Sequence, residues 1–447
     1  MRTLLLMRGA PGSGKSTYIE RNNLKKYTLC ADEIRLLIQT PIMQTNGNFA
    51  ISQNNDNKVW AVLFDILEAR MQRGEFTVID ATNSKTKEMT RYRDLAKAYR
   101  YRIYCVDFTD LPIEVCKERN KQRPEYKQVP DEVIDKIYSR FSGQKIPRDI
   151  EILKPDELDK ILIRPLDVSE YNKIHYIGDI HGCYTALREA LPEIKDDELY
   201  VFCGDYIDRG IENAEVLKFL CEICEKHNIC LLEGNHDRAI YDYAHDVKTG
   251  KKQFDDVTYY ELKKANISQK DLRVLYRKIR QCAYYKYNGK LLFACHAGIS
   301  KMPENLLYLA TEQMIKGIGT YGEMKMVCDN WKKSNPDIIQ IFGHRNIEDT
   351  PIKVNSCCYN LEGSVEFGGY LRMITVSKDL PIEEKQIKNN VVATGENTIN
   401  EEEKKTLNID TVIEDMRRSN WVKESKYENI SAFNFSERAF KKEYGMK

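Results

Sequence analysis

Three short polar motifs follow one another at nearly even spacing, and each comes directly after a short apolar run. The stretches between them are long enough for one helix plus turns, so the pattern predicts alternating β-strands and α-helices. Because ligands of α/β sheets gather beyond the carboxyl ends of the strands, the polar side chains should converge at one sheet edge. The motifs are Gly178-Asp179-Ile180-His181-Gly182, Gly204-Asp205-Tyr206-Ile207-Asp208-Arg209-Gly210 and Gly234-Asn235-His236-Asp237.

Two later histidines extend this pattern. His296 follows the apolar run at 291–294, and His344 follows the run at 338–342, so four of the seven histidines stand just past an apolar run. A lone histidine in such a place is more often structural, but five motifs in series favour a common site. Carboxylate, amide and imidazole donors at one edge suggest a pair of divalent metals of the Mn, Fe, Zn or Ni type.

These motifs resemble the calcineurin-like metallophosphoesterases, in the branch shared by protein Ser/Thr phosphatases and diadenosine tetraphosphatases, over about residues 174–376. The resemblance implies a metal pair, expected to be Mn²⁺, that binds phosphoryl oxygens and activates the attacking water. It assigns Asp205 to bridge the two ions and His236, oriented by Asp208, to act as general acid. Arg209 would clamp the substrate phosphate. The implied metal ligands are Asp179, His181, Asp205, Asn235, His296 and His344.

One residue departs from that family pattern. Arg345 follows His344 at a position where these families usually carry Thr. The change leaves the metal ligands intact and bears on the neighbouring substrate pocket.

A second motif lies near the amino terminus, where a buried strand at 3–7 leads into a glycine-rich loop of the form Gly-x4-Gly-Lys-Ser. In this strand–loop–helix context the loop predicts a P-loop, whose backbone amides and helix N-terminus bind the phosphates of ATP or GTP. The lysine would reach the β- and γ-phosphates and the serine hydroxyl a Mg²⁺ ion. The residues are Gly9, Gly12, Ser13, Gly14, Lys15, Ser16 and Thr17.

The same domain carries candidate groups for a phosphate acceptor. Asp32 and Arg35 share one face at a predicted helix start, where they could also be a capping residue and a solvated arginine. Arg119 and Arg123 lie on one face of a later helix, as in a lid over nucleotide phosphates. With Asp80-Ala81-Thr82-Asn83, these elements resemble the 5′-hydroxyl polynucleotide kinases. The resemblance implies Asp32 as general base and Arg35 as a contact to the acceptor phosphate, although small-molecule kinases share much of this set.

Length predicts about three domains, and the alternating pattern together with the two family resemblances implies an α/β fold class with the following three parts. Residues 1–166 would form a P-loop kinase domain, a parallel sheet flanked by helices, and residues 167–380 a metallophosphatase with a β-sandwich core and flanking helices. Residues 381–447 would be a linker and tail. The net charge is +1, which excludes a global field for nucleic acid. Thirteen irregularly spaced cysteines and the lack of a signal or membrane-spanning run predict a cytoplasmic protein with no membrane partner.

Three further segments carry recognisable patterns, and two of them have alternative interpretations. Residues 263–290 interleave basic residues with tyrosines, which suits either a grip on single-stranded nucleic acid or a solvated helix face with tyrosines in the core. Residues 360–372 resemble the closing segment of phosphatases fused to polynucleotide kinases. Residues 420–447 resemble the segment that precedes the catalytic lysine of some ATP-dependent RNA ligases, and an ordinary docking or disordered tail would explain them equally.

Together these features predict an enzyme that heals RNA ends. Its kinase would use ATP and Mg²⁺ to phosphorylate 5′-hydroxyl ends, and its phosphatase would use two divalent metals to remove 2′,3′-cyclic or 3′-phosphates. RNA or DNA ends and an RNA ligase are the expected partners, and the oligomeric state stays open. The alternatives are a dinucleoside-polyphosphate hydrolase with a small-molecule kinase domain, and a Ser/Thr protein phosphatase gated by nucleotide binding.

Overall fold

The structure is a computed structural model, and it describes residues 2–345, 347 and 350–393. These residues form two α/β units, and the segment at 420–447 lies outside the described residues. Among the described residues, no helix is both long and apolar enough to cross a membrane.

The amino-terminal unit is built on a parallel sheet of five strands in the order β2-β5-β1-β6-β7, with a separate β3-β4 hairpin. Its strands are β1 (Thr3–Arg8), β2 (Thr28–Cys30), β3 (Ile42–Met43), β4 (Phe49–Ala50), β5 (Thr77–Asp80), β6 (Arg102–Asp107) and β7 (Glu151–Leu153). Its helices are α1 (Lys15–Arg21), α2 (Ala31–Ile38), α3 (Asp56–Arg73), α4 (Thr86–Tyr99), α5 (Ile113–Lys121) and α6 (Asp131–Phe141).

The central strand explains why the phosphate-binding loop stands where it does. Strand β1 is apolar throughout its middle and fully buried from Leu4 to Met7, as expected for a parallel strand covered on both faces. It pairs with β5 on one side and β6 on the other. The loop at residues 9–14 therefore leaves the sheet at the carboxyl end of its central strand, where α1 begins at Lys15.

The carboxy-terminal unit contains two sheets, in the orders β11-β10-β9-β17-β18 and β15-β16-β14-β13-β12-β8. Its strands are β8 (Leu166–Asp167), β9 (Lys173–Ile177), β10 (Glu198–Phe202), β11 (Ile229–Leu231), β12 (Cys282–Tyr287), β13 (Lys290–Cys295), β14 (Ile338–Phe342), β15 (Lys353–Asn355), β16 (Cys358–Asn360), β17 (Tyr370–Ser377) and β18 (Glu383–Lys388). Its helices are α7 (Tyr184–Ala190), α8 (Asn213–Ile223), α9 (Arg238–Ala244), α10 (Tyr259–Lys264), α11 (Gln269–Lys278), α12 (Thr311–Lys316) and α13 (Met324–Ser334).

The two sheets of this unit pack face to face around one apolar core. Ile174 and Val201 of the first sheet and Ala294 and Ile341 of the second belong to the same buried cluster. Strands β9, β10 and β11 run parallel, and so do β13 and β14. This is the β-sandwich with flanking helices that the resemblance to the metallophosphoesterases implies.

The predicted boundary at residue 380 differs from the structure. Strand β18 pairs with β17 in antiparallel register, so residues 383–388 are part of the first sheet rather than of a linker. The strand is charged and mostly exposed, with only Ile387 buried, because it forms the edge of the sheet. Edge strands carry charges that prevent pairing with other chains, and such a composition is easily taken for a linker.

The basic and aromatic insertion is part of the folded core. Leu272, Leu275 and Tyr276 of α11 are buried against α8 and α9, while Tyr285 and Tyr287 of β12 are buried in the sandwich. The described geometry therefore favours the interpretation of these tyrosines as core residues over that of a stacking surface for nucleic acid.

The two units share a buried contact surface. Leu307 of the second unit lies in the same apolar cluster as Leu5 and Phe76 of the first. The ring of Tyr308 stacks on that of Tyr27 with 4.9 Å between centroids. A salt bridge of 2.8 Å joins Arg2 to Glu233. The two units are thus packed together by apolar, aromatic and ionic contacts.

Candidate active sites

The polar motifs of the second unit converge because each follows the carboxyl end of a strand. Several of their residues have positive φ although they are not glycines, a conformation that costs about 1–3 kcal/mol for each residue. Such strain persists where the surrounding structure fixes the backbone. Here the strained backbone conformations direct the side chains of these residues toward one site. These residues are His181 (φ 43°), Asp205 (φ 50°), Asp208 (φ 73°), Arg209 (φ 72°) and His344 (φ 63°).

One group of possible metal ligands consists of Asp179, His181 and Glu362, all buried, with ligand atoms within 4.8 Å of one another. Oδ1 of Asp179 is buried and has no hydrogen-bond partner among the described residues. Burial and the adjacent Glu362 carboxyl raise the pKa of Asp179 well above its usual range. Two buried carboxyl groups beside an imidazole form a donor set that fits a divalent cation. Glu362 is not among the ligands predicted from the sequence.

A second group consists of Asp205, His296 and His344. Oδ1 of Asn235 lies 3.1 Å from Nε2 of His296 and so faces the same point. Oδ2 of Asp205 lies 3.3 Å from Nε2 of His296 and 3.4 Å from Nε2 of His181. Because Asp205 borders both groups, its position suits a ligand shared by two ions. All six predicted metal ligands are therefore brought together.

Backbone carbonyls fix the ring nitrogens that face the site. Nδ1 of His181 contacts the carbonyl oxygen of Ile207 at 3.1 Å, and Nδ1 of His296 contacts that of Cys203 at 2.8 Å. A carbonyl oxygen can only accept, so Nδ1 carries the proton and Nε2 presents its lone pair to the site. Burial lowers the pKa of His344 to about 3, which favours the neutral, metal-binding form of this ring.

The predicted acid and phosphate clamp lie beside these groups. Nδ1 of His236 is 2.7 Å from Oδ2 of the buried Asp208, as the sequence-based role requires. The guanidinium of Arg209 contacts Glu366 at 2.8 Å, and its terminal nitrogens lie 3.2 Å and 3.3 Å from Nε2 of His181 and of His236. Arg209 therefore stands at the rim of the site, held by a buried carboxylate that the sequence did not single out.

Asp237 connects the backbones of the second and third motifs through hydrogen bonds. Its carboxylate accepts hydrogen bonds from the backbone N–H groups of Asp205, Tyr206 and Gly234. It is fully buried, and burial together with the nearby Asp205 raises its pKa to about 7. The residue thus ties the second and third motifs to each other. Asp237 was not predicted as a site residue, and the sequence signal that could have identified it is its position as the last residue of the third motif.

Arg345 has a structural role that the sequence could not show. It is 2% exposed, and it donates to the carbonyl oxygens of Ala297 (2.8 Å), Ile318 (2.6 Å) and Thr320 (2.9 Å). The side chain points into the loop at 317–320. Arg345 thus anchors the loop that leads to Tyr321, whose ring lies 4.9 Å from that of His344.

We expect Arg345→Thr to destabilise the phosphatase unit by roughly 3 kcal/mol, since three carbonyl groups, of which that of Ala297 belongs to a buried residue, would lose a charged donor. Thermal unfolding would measure the change. Arg164→Thr is the matched control, because Arg164 is exposed and pairs with Asp159 at the surface. An Arg345→Thr variant as stable as the control would contradict the anchoring role.

The P-loop of the first unit has the backbone that its glycines permit. Gly9, Gly12 and Gly14 have φ values of 155°, 80° and 98°. A Cβ atom at Gly12 would lie 2.1 Å from the carbonyl oxygen of Cys116, so only glycine fits there. Nζ of Lys15 donates to the carbonyl oxygens of Gly9 and Ala10, both at 2.9 Å. The backbone of the P-loop therefore surrounds the ammonium group of Lys15.

Ser16 and the acceptor candidates stand beside this loop. The hydroxyl of Ser16 donates to Oδ2 of Asp80 at 3.0 Å, which pairs a P-loop hydroxyl with a strand-end carboxylate, as a Mg²⁺ site requires. Arg35 donates from Nη1 to Oδ1 of Asp32 at 2.8 Å, and from Nε and Nη2 to Oδ1 of Asp56 at 2.9 Å and 2.7 Å. Asp56, the first residue of α3, was not predicted from the sequence.

These groups line one cavity of about 1750 Å³. The volume exceeds what a single nucleotide needs, which leaves room for an acceptor. The predicted base, the acceptor arginine and both lid arginines border this cavity together with the P-loop. The predicted residues that line it are Gly12, Ser13, Gly14, Lys15, Ser16, Thr17, Asp32, Arg35, Arg119 and Arg123.

Comparison with known protein families agrees with this division. A family model described as an AAA domain matches residues 4–143, and the calcineurin-like phosphoesterase model matches residues 173–373. The chain therefore combines a P-loop kinase-like fold with a calcineurin-like phosphoesterase fold. The fold class predicted from the sequence is thereby confirmed, and the phosphoesterase fold implies divalent metal ions at the two groups of ligands.

Curated relatives match the phosphoesterase half. The asymmetrical bis(5′-nucleosyl)-tetraphosphatase PrpE of Bacillus subtilis is 26% identical over 245 residues, which cover 47% of this chain and 97% of the relative. A symmetrical bis(5′-nucleosyl)-tetraphosphatase of Wigglesworthia glossinidia brevipalpis is 27% identical, over 37% of this chain and 64% of the relative. Serine/threonine-protein phosphatase 2 of Salmonella typhimurium is 44% identical over 64 residues, 13% of this chain and 29% of the relative.

Solved structures also match this half. A protein serine/threonine phosphatase of Saccharomyces cerevisiae aligns with a TM-score of 0.36 and 14% identity, over 49% of this chain and 81% of the other. A cold-active protein-tyrosine phosphatase of a psychrophilic Shewanella species aligns with a TM-score of 0.32 and 16% identity, over 49% of this chain and 83% of the other.

Proposed function

We propose that the protein heals broken RNA ends. The kinase-like domain would transfer the γ-phosphate of ATP to a 5′-hydroxyl, and the phosphoesterase would remove 2′,3′-cyclic or 3′-phosphates. The observation that carries the proposal is the shared cavity, in which Asp32 and Arg35 stand with the P-loop in a volume larger than one nucleotide. A domain that only senses ATP has no use for a carboxylate placed to accept a proton from an acceptor hydroxyl.

In the kinase reaction, the carboxylate of Asp32 would accept the proton of the 5′-hydroxyl as it attacks. Arg35, held between Asp32 and Asp56, keeps terminal N–H groups for a phosphate of the acceptor strand. Lys15, Arg119 and Arg123 would neutralise charge on the transferred phosphoryl group. Bound Mg²⁺, near Ser16 and Asp80, would add further neutralisation of the phosphate charge.

In the phosphatase reaction, the six predicted ligands and Glu362 would hold two divalent cations, which supply Lewis acidity and an activated water. Mn²⁺ is the proposed ion. Arg209 would bind the phosphate oxygens at the rim, and His236, oriented by Asp208, would give its proton to the leaving oxygen. The products, a 5′-phosphate and a 3′-hydroxyl, are the ends that a ligase joins, so we also propose an RNA ligase as a functional partner.

A second candidate is the hydrolysis of dinucleoside polyphosphates. The similarity to the Bacillus subtilis tetraphosphatase over 97% of its length favours it, although the identity is only 26%. Under this alternative the first domain would phosphorylate a small molecule, and the same metal groups would cleave a phosphoanhydride.

The two candidates can be separated with the purified wild-type protein. One substrate is an RNA oligonucleotide with a 5′-hydroxyl and a 2′,3′-cyclic phosphate, and the other is diadenosine tetraphosphate, each with ATP and either Mg²⁺ or Mn²⁺. We expect mass spectrometry to show a gain of phosphate at the 5′ end and its loss at the 3′ end. Untouched RNA together with rapid cleavage of the dinucleotide would replace the first candidate by the second.

A further inference from the structure

The insertion between the third and fourth metal motifs contacts Asp208, the residue that orients the proposed general acid His236. Its residues Phe254–Thr258 form one π-helical turn that continues into α10. Phe254 and Leu262 of this stretch are buried in the apolar core of the second unit. Single π-helical turns are rare and occur mostly at functional sites. We call residues 254–264 the support segment.

The first contact from the support segment is made by a side chain. The hydroxyl of Thr258, which is completely buried, donates to Oδ1 of Asp208 at 2.7 Å. The other carboxylate oxygen, Oδ2, lies 2.7 Å from Nδ1 of His236. The carboxylate is therefore held at both oxygens. Without the hydroxyl, one oxygen of this buried carboxylate would lose its partner, and the group could rotate about its Cβ–Cγ bond.

The second contact fixes the backbone of the same residue. Glu261 accepts hydrogen bonds from Nδ2 of Asn213 at 2.7 Å and from the backbone N–H of Ala214 at 2.9 Å. Asn213 in turn accepts from the backbone N–H of Asp208 at 2.8 Å. Asp208 needs this restraint, because its φ of 73° is unfavourable for a residue with a side chain. Two residues of one segment thus fix both the backbone and the carboxylate of Asp208.

We propose that Thr258 is a positioning residue for the phosphatase reaction, acting through Asp208 to orient His236 toward the leaving oxygen. The proposal rests on the proposed phosphatase function and deepens it. Hydrolysis of a phosphomonoester forms a P–O bond to a water oxygen and breaks the P–O bond to the leaving oxygen. That oxygen takes the proton from Nε2 of His236, and the proton released by the water restores this nitrogen. Misorientation of the ring affects the step in proportion to how much the leaving group needs the proton.

This dependence gives a test that a merely structural role would not pass. A ribonucleoside 3′-phosphate has a poor alkoxide leaving group, whereas 4-nitrophenyl phosphate has a good leaving group that needs little protonation. For Thr258→Val, we expect a kcat roughly tenfold lower on the nucleotide and nearly unchanged on the nitrophenyl ester. KM should change little on either substrate. Thr258→Ser, which keeps the hydroxyl, should restore the wild-type ratio of the two rates.

Thr375→Val is the matched control, since Thr375 is a buried threonine whose hydroxyl contacts His175 within the first sheet and not the catalytic pair. Equal losses on both substrates in Thr258→Val, or the same pattern in Thr375→Val, would overturn the proposal. Circular dichroism and Mn²⁺ binding by calorimetry would establish that the variant is folded and holds metal. A wild-type protein without metal-dependent activity on either ester would instead reject the proposed phosphatase function itself.

Discussion

Asp205→Asn should lower the phosphatase rate by roughly a thousandfold while the kinase rate stays within about twofold of wild type. The asparagine keeps Oδ1, which accepts from the backbone N–H of His236 at 2.9 Å, so the third motif should remain in place. It replaces Oδ2, the oxygen nearest to both His181 and His296, by a neutral amide that cannot bridge two cations. Calorimetric titration with Mn²⁺ should lose at least one binding event.

The reciprocal variant makes this test specific to the domain. Lys15→Ala should abolish kinase activity and leave the phosphatase rate unchanged, because Lys15 lies in the cavity of the other unit. Asp196→Asn and Lys87→Ala are matched controls at exposed positions outside both sites. If Asp205→Asn keeps full phosphatase activity and both Mn²⁺ binding events, Asp205 does not bridge the ions.

The sequence predicts the parts of each site that are written in consecutive residues. The motifs of His181, Asp205 and Asn235 each follow an apolar run, and a parallel sheet necessarily brings the ends of such runs to one edge. The P-loop is equally local, since its glycines, Lys15 and the following helix occupy one short stretch. For these elements, short-range spacing contains the information that determines the geometry.

Other functional residues depend on pairings between distant parts of the chain. Glu366 contacts Arg209 across 157 positions, Asp56 contacts Arg35 across 21, and Thr258 contacts Asp208 across 50. Asp56 and Thr258 lie in no predicted motif, and Glu366 lies in the closing segment at 360–372, to which the sequence assigned no chemical role. Strand β18 was missed for a related reason, because an edge strand is identified by its partner and not by its polar composition. Arg345 likewise acquires its role only from three carbonyl groups elsewhere in the chain.

A buried carboxylate, that of Glu233, lies at the interface between the two domains. Glu233, whose side chain is 3% exposed, directly precedes the motif of Asn235 and His236. It accepts from Nη1 of Arg2 at 2.8 Å and from Nη1 of Arg100 at 3.2 Å, both in the kinase-like domain. Tyr276 (2.9 Å) and Gln281 (3.1 Å) complete its hydrogen bonds. Burial alone would raise the pKa of Glu233, but the two guanidinium groups hold it well below its usual range.

Replacing Arg2 and Arg100 by methionine should therefore lower the free energy of unfolding by about 3–5 kcal/mol, because a buried carboxylate would lose its counterions. Adding Glu233→Gln to the double variant should recover much of this loss, since the unpaired charge is then gone. The stability from Glu233 in the wild type should be fully present above its unfolded-state pKa of about 4.3 and be lost as the pH falls through its lower folded-state pKa. Chemical denaturation at several pH values measures both effects.

Arg93→Met, which breaks the more exposed pair with Asp149, is the control and should lower the free energy of unfolding by less than about 1 kcal/mol. If the triple variant is no more stable than the double variant, charge pairing through Glu233 does not couple the two domains.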